Sequence, residues 1–269
     1  MRKVGLIGFG AIGAAIVEAW PRHLGSCASL CALLVRREQV GVVVPRVPQG
    51  TFVTADLNDF LDRGVEVVIE AAGHGAATEY ARPIVERGCQ IYLLSAGALA
   101  DEALRIQLLA AAERGGGRII IPAGALGGFD GLLSLRAAGL ISVKYTSVKP
   151  IGAWRRTAAE DAFRLDDLVT PQVVFSGSAS EAARTYPRNA NLAAAVAVAG
   201  IGFDATRVEL IADPGVTENS ARIEAVSLAG RLDVTLISGG FAENPKSSRI
   251  TAMSAIAALR DRNERIGFC

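Results

Sequence analysis

The chain has 269 residues, is 51% hydrophobic, and carries 28 basic against 27 acidic residues for a net charge of +1. That length allows one large domain or two modest ones, and that composition excludes intrinsic disorder. The even charge, with no basic stripe interleaved with aromatics, argues against a nucleic-acid partner, and apolar runs such as 65–72 are too short to span a bilayer.

The first predicted element is a strand over 3–8, which runs directly into Gly8-Phe9-Gly10-Ala11-Ile12-Gly13 and a helix over 11–20. This is G-x-G-x-x-G between a strand and a helix. Gly8 makes the tight turn, Gly10 lets backbone approach a pyrophosphate, and Gly13 lets the helix pack on the strand. The N–H groups of the first helical turn, at Ala11, Ile12 and Gly13, then face the phosphates. A glycine-rich turn with no ligand is the plain alternative. The glycines also break up any signal-peptide reading of Met1-Arg2-Lys3.

The second strand, 28–35, ends Leu33-Leu34-Val35-Arg36-Arg37. NAD-binding folds place a carboxylate at that strand end for the ribose 2′-hydroxyl. Here Glu38 comes late, and Arg36 and Arg37 either form a solvated loop or pair a 2′-phosphate; the placement favours the second, and so NADP over NAD. A strand over 52–54, a helix over 57–62 and a strand over 65–71 follow. The last ends in Ala72-Gly73-His74. Ligands bind outside the carboxyl ends of such strands, which makes Ala72 and Gly73 cofactor contacts and His74 either a catalytic group or a loop-stabilising one. A helix over 76–87, a strand over 90–94, a helix over 101–114 and a strand over 118–122 complete a doubly wound α/β domain of Rossmann type over 1–123.

Beyond Gly124 the pattern changes. Strands over 143–149, 173–176, 207–212, 222–228 and 231–237 alternate with helices over 179–186 and 190–200. They predict a second, α+β domain over 124–241 for substrate binding and dimerisation. Asn189 and Asn191 open the alanine-rich helix, as caps or as ligand groups. Lys246, followed by Ser247 and Ser248 at the start of a helix over 247–262, reads as a carboxylate site. The stripe Ile250, Met253, Ile256 and Leu259 is expected to return that helix to the first domain, so 242–269 is assigned there. The four cysteines (27, 31, 89 and 269) form no C-x-x-C and no zinc-like cluster. Free thiols in a reducing cytosol and no metal site are expected.

Several segments become recognisable together: the glycines of 8–13, Glu70-Ala71-Ala72-Gly73-His74, Ser95-Ala96-Gly97-Ala98-Leu99 and Gly124-Ala125-Leu126-Gly127 with Asp130. Further along come Tyr145-Thr146-Ser147, Lys149-Pro150, Tyr186-Pro187-Arg188-Asn189-Ala190-Asn191, Ala212-Asp213-Pro214 and Asn244-Pro245-Lys246-Ser247-Ser248. Over nearly its full length the chain resembles the L-aspartate dehydrogenase family. The resemblance implies an NAD- or NADP-dependent homodimer interconverting L-aspartate and iminosuccinate, or oxaloacetate plus ammonia. It sets Asn189 beside the nicotinamide and substrate and gives the Lys246 segment a part in closing the cleft. Lys149 and Arg188 are further cations for substrate carboxylates. One departure stands out. The family runs from Ala-Asp-Pro to Asn-x-His, and that histidine is its acid/base residue, whereas here the position is Ala221. A methyl group transfers no proton. The residues leave open an aspartate dehydrogenase, an imine reductase acting on another substrate, and a silent dinucleotide-binding homologue.

Overall fold

Six apolar runs in the first part of the chain pair as one parallel sheet. β1 (Arg2–Ile7) leads to α1 (Ala11–His23), and β2 (Ala28–Leu34) to a single turn, α2 (Val40–Val43). β3 (Phe52–Thr54), α3 (Leu57–Leu61), β4 (Val67–Glu70), α4 (His74–Glu86), β5 (Gln90–Leu93), α5 (Glu102–Gly115) and β6 (Arg118–Ile120) follow. The strand order is β3-β2-β1-β4-β5-β6, which puts the reversal of winding between β1 and β4. All four residues of β4 are buried, as a parallel strand covered on both faces requires. The computed structural model describes residues 1–187, 189–241, 244–261 and 264–266, and leaves out the side chains of 241 and 244–247.

The chain divides into two compact units, Met1–Pro122 with Thr251–Cys269, and Ala123–Ile250. In the first, Leu6, Ile16, Trp20, Leu33, Ile69 and Tyr92 form one core with Ala252, Ala255, Ile256 and Leu259 of the C-terminal helix. Those four follow i, i+3, i+4, i+7 spacing, and the alanines let the helix lie close. Of the stripe expected to be buried, Ile250 and Met253 are instead 37% exposed. The reason is geometric: a strict three-residue repeat drifts by about 60° per step around a 3.6-residue helix, so such a stripe cannot stay on one face.

The second unit contains α6 (Phe129–Ala137), β7 (Leu140–Lys149), α7 (Ala158–Ala162), β8 (Gln172–Ser178), α8 (Ala179–Thr185), α9 (Asn191–Ala199), β9 (Arg207–Ala212), β10 (Asn219–Ser227) and β11 (Gly230–Ser238). A short pair, β12 (Gly240–Phe241) and β13 (Asn244–Ser248), precedes α10 (Arg249–Asp261). The sheet order is β11-β10-β7-β9-β8; only β7 and β9 run parallel. Alternation buries Val143, Tyr145, Ser147 and Lys149 of β7 on one face with Asn219, Ala221, Ile223 and Ala225 of β10. The other face carries Lys144 paired with Glu209 at 2.7 Å, and Arg222 paired with Asp233 and Glu224.

Three expectations change. β10 starts at Asn219, not 222, because Ser220 and Ala221 pair with Val148 and Ser147 on one side and with Ile237 and Leu236 on the other. The last helix starts at Arg249 rather than 247, because the preceding residues pair as β13 and the Ser248 hydroxyl accepts from the Ile250 N–H at 3.3 Å. With β13 held by β12, residues 244–250 group with the second unit, and the division falls after Ile250 rather than after 241.

Candidate active site

The glycines of the β1–α1 turn behave in three different ways. Gly8 has φ +94°, and a Cβ there would lie 2.7 Å from the Ala72 Cβ. A Cβ on Gly13 would lie 2.2 Å from the Gly8 carbonyl oxygen, so helix and turn touch backbone to backbone. At Gly10 a Cβ would meet nothing within 4 Å. Gly8 and Gly13 are thus demanded by the protein, whereas Gly10 faces open space. Gly10 is also the N-cap of α1. It offers no side-chain cap, and no acidic residue occupies the first turn. The amides of Ala11, Ile12 and Gly13 and the positive helix end therefore meet no carboxylate of that turn, which suits a pyrophosphate.

Beyond β2, Arg36 is exposed and pairs loosely with Glu38 at 3.3 Å and with Gln39 at 3.3 Å. Arg37 opens a short 3-10 turn and is also exposed. Exposed pairs of this kind hold a side chain weakly.

At the carboxyl end of β4 the arrangement rests on Glu70, a residue that motif reading did not single out. It is fully buried. Its Oε1 accepts from the Ala72 N–H at 2.8 Å, the Gly73 N–H at 2.8 Å and the Ser95 hydroxyl at 3.0 Å, and its Oε2 accepts from the Ser95 N–H at 3.0 Å. Burial pushes its carboxyl above the usual carboxylate range, against the pull of these donors. Gly73, at φ +107°, is the N-cap of α4, and His74 is its first residue. His74 therefore stands just past the carboxyl end of β4.

In the second unit Asn189 lies between α8 and α9. It is 5% exposed, and neither its Nδ2 nor its Oδ1 has a hydrogen-bond partner among the described residues. The N-cap of α9 is Ala190, so Asn189 does not cap that helix. A buried amide left without a partner is costly, and a ligand or a water that reached it would remove that cost. Ala221 sits in mid-strand, 5% exposed, opposite Ser147. On the same face Tyr145 is buried and its phenol is pushed up to about 12 by burial, the Ser147 hydroxyl acting the other way. Lys149, also buried, ends β7. Its carbonyl accepts from the Trp154 indole N–H at 3.3 Å and the Asp213 N–H at 3.0 Å. Lys246 lies within β13, three residues before α10, so it is not at a helix start as expected. Its side chain, and all of Arg188, lie outside the described residues. Among the described residues no three His, Cys, Asp or Glu gather as metal ligands, and no helix is long and apolar enough to cross a membrane.

Two family models cover most of the chain: "Homoserine dehydrogenase, NAD binding domain" over 8–122 and "Aspartate dehydrogenase, C-terminal" over 130–262. The L-aspartate dehydrogenases of Ralstonia pickettii (strain 12J) and Cupriavidus necator are 37% and 38% identical, over the full length of both chains. The chain belongs to the L-aspartate dehydrogenase family. The crystal structure of aspartate dehydrogenase from Thermotoga maritima shares the fold over the whole of both chains, at a TM-score of 0.75 and 25% identity. A hyperthermophilic archaeal homoserine dehydrogenase in complex with NADPH shares the fold only, with a TM-score of 0.60 at 11% identity. As a member of this family the chain is an NAD(P)-dependent oxidoreductase of the amino-acid dehydrogenase class, and the open cradle at Gly10 fits that cofactor.

Proposed function

We propose that this protein interconverts an amine and an imine at the α-carbon of a small dicarboxylic amino acid, L-aspartate by its relatives, with NADP used in preference to NAD. The observation that carries the proposal is Asn189, a buried amide with both polar atoms unpaired, in a chain similar over its whole length to L-aspartate dehydrogenases. The amide offers an NH₂ that donates and a carbonyl oxygen that accepts, which suits a nicotinamide carboxamide or a polar substrate group. Gly8, Gly10, Ala11, Ile12 and Gly13 would hold the pyrophosphate, with Ala72 and Gly73 at its flank. Arg36 and Arg37 would meet a 2′-phosphate with charge-assisted bonds. When bound, the nicotinamide supplies or accepts the hydride. Lys149 and Lys246 would balance substrate carboxylates, and His74 would act beside the cofactor.

Ala221 favours a narrower activity. Forming the imine from ammonia and a ketone needs proton transfers that an alanine cannot make, whereas reducing a preformed iminium needs little beyond orientation and exclusion of water. The reading is therefore of an enzyme stronger on preformed imines than on aspartate. The second reading, an imine reductase for a different compound, is favoured by the same methyl group. NADPH oxidation followed against oxaloacetate plus ammonia and against a set of preformed imines separates them from a silent homologue, for which all rates stay at background.

The direct test is Ala221→His. General acid/base groups contribute typically about 10²–10⁴-fold, so aspartate oxidation should rise by about tenfold or more, with imine reduction changing much less. A folded, cofactor-binding variant with no gain on aspartate would mean that the pocket serves another substrate. We also propose a homodimer formed through the second sheet, where the support is family resemblance. Light scattering that gives a monomer mass at assay concentration would reject it.

A further inference from the structure

We propose that Glu70 is a positioning residue for the cofactor, its carboxylate fixing the Ala72–Gly73 turn against the phosphate loop and tying that turn to Ser95. The inference rests on the dinucleotide reading of the first unit and needs nothing from the second. Glu70 is the last residue of β4 and pairs with Ile7 of β1 on one side and Leu93 of β5 on the other. It therefore stands at the middle of the sheet's carboxyl edge, where the winding reverses. Its four donors come from two separate loops, Ala72 and Gly73 after β4 and Ser95 after β5. One buried carboxyl group thus joins the loops after β4 and β5.

The inward commitment of the Ala72 and Gly73 amides has a second effect. They are spent on Glu70 and are not phosphate donors, which leaves that task to the start of α1. Ala72 is exposed on its outer side, and its methyl carbon lies 2.7 Å from the point a Gly8 Cβ would occupy. The turn therefore abuts the glycine that shapes the phosphate loop, and any shift of the turn changes the width of the cradle. The chemistry also selects the residue type. Three backbone N–H groups and a hydroxyl converge, so the group must accept at both of its oxygens. A glutamine could keep its oxygen on the three donors now at Oε1, but its NH₂ would then face the Ser95 N–H, donor to donor. An apolar side chain would strand all four.

The test measures NADH and NADPH binding by nucleotide fluorescence, with thermal melting in parallel, for the parent, Glu70→Gln, Glu70→Ala, Ser95→Ala and a control, Val67→Ala. Val67 is a core residue, 2% exposed, at the other end of the same strand. Glu70→Ala is expected to weaken both cofactors by about tenfold or more, and Glu70→Gln and Ser95→Ala by about threefold. In turnover, the cofactor KM should move more than kcat. Val67→Ala should lower the melting temperature with the dissociation constants unchanged. If Glu70→Ala fails to fold, the other two variants decide. Parent-like binding by both Glu70→Gln and Ser95→Ala overturns the proposal, as does a Val67→Ala control whose affinity falls in step with its melting temperature. A parent chain that binds neither cofactor overturns the dinucleotide reading, and this proposal with it.

Discussion

In the first unit the candidate site is made of backbone; in the second it is made of side chains. Gly8, Gly10 and Gly13 act by lacking a Cβ, at two positions because protein atoms already fill the space and at one because nothing does. The second unit instead buries Asn189 between α8 and α9, and Lys149, Ser147 and Tyr145 on one face of its sheet, side chains whose value lies in donors, acceptors and charge. A backbone site tolerates almost no change at its contact glycines and specifies only a phosphate. A side-chain site can exchange one group for another and keep its frame, and position 221 is where we propose that this exchange has happened.

The contrast is broken most severely at the glycines. Gly13→Ala places a methyl carbon 2.2 Å from the Gly8 oxygen. It should cost about 2–3 kcal/mol of stability and weaken dinucleotide binding at least a hundredfold by a rough reckoning. Gly10→Ala meets no protein atom within 4 Å, so it should weaken binding by about tenfold while melting like the parent. Calorimetric titration and thermal melts read both quantities. A Gly10→Ala chain that loses stability would show that this position, too, is structural.

Asn189→Ala inverts that pattern. Removing an unpaired buried amide should leave stability unchanged or raise it by about 1 kcal/mol, while kcat/KM falls by about tenfold or more. A variant that loses stability and keeps its activity would turn Asn189 into a structural residue. Arg36→Ala sharpens the comparison inside the first unit, since here a side chain is added to a backbone site. NADPH affinity should fall about tenfold, with NADH affinity and melting temperature unmoved. Tighter binding of NADH than NADPH by the parent would remove the preference.

The last expected effect, confined to strongly alkaline solution, is on stability. The phenol of Tyr145 is raised from 10.0 to about 12 in the folded chain by burial. The unfolded chain therefore loses its phenolic proton first. The stability that Tyr145 contributes is fully present below about pH 10 and is lost as the pH rises through about 12. Urea melts between those limits should show the decline, and Tyr145→Phe should flatten it.

Much of the first unit was legible because its strands are unbroken apolar runs and the fingerprint anchors β1 and α1. The second unit was less so. Asn219 and Ser220 fell outside the predicted strand over 222–228; their strand character is imposed by distant partners, Val148 and Ile237 among them. Helix α6 was hidden by Gly127, Gly128 and Gly131. Two of these lie under β11: a Cβ at Gly128 would stand 3.0 Å from Val234, and one at Gly131 would stand 3.2 Å from Leu232. The carboxylate of Glu70 was visible after Val67-Val68-Ile69, but its role was not, because its donors lie at 72, 73 and 95 and only the fold gathers them. For Asn189 the residue left two readings, cap or ligand group, and the backbone discards the first by making Ala190 the cap.

The C-terminal helix gives the chain an order of assembly. Ala252, Ala255, Ile256 and Leu259 belong to the core built around Leu6, Ile16 and Trp20, and the Tyr92 hydroxyl reaches the carbonyl of Ala258 at 3.4 Å, 166 residues along the chain. Residues 123–250 form a continuous unit and leave the ribosome whole, able to collect their own core as they emerge. The unit that begins first must wait for the last helix before its sheet is fully covered. During synthesis, at about 5–20 residues per second, the dinucleotide-binding unit spends on the order of ten seconds with this core lacking its last helix.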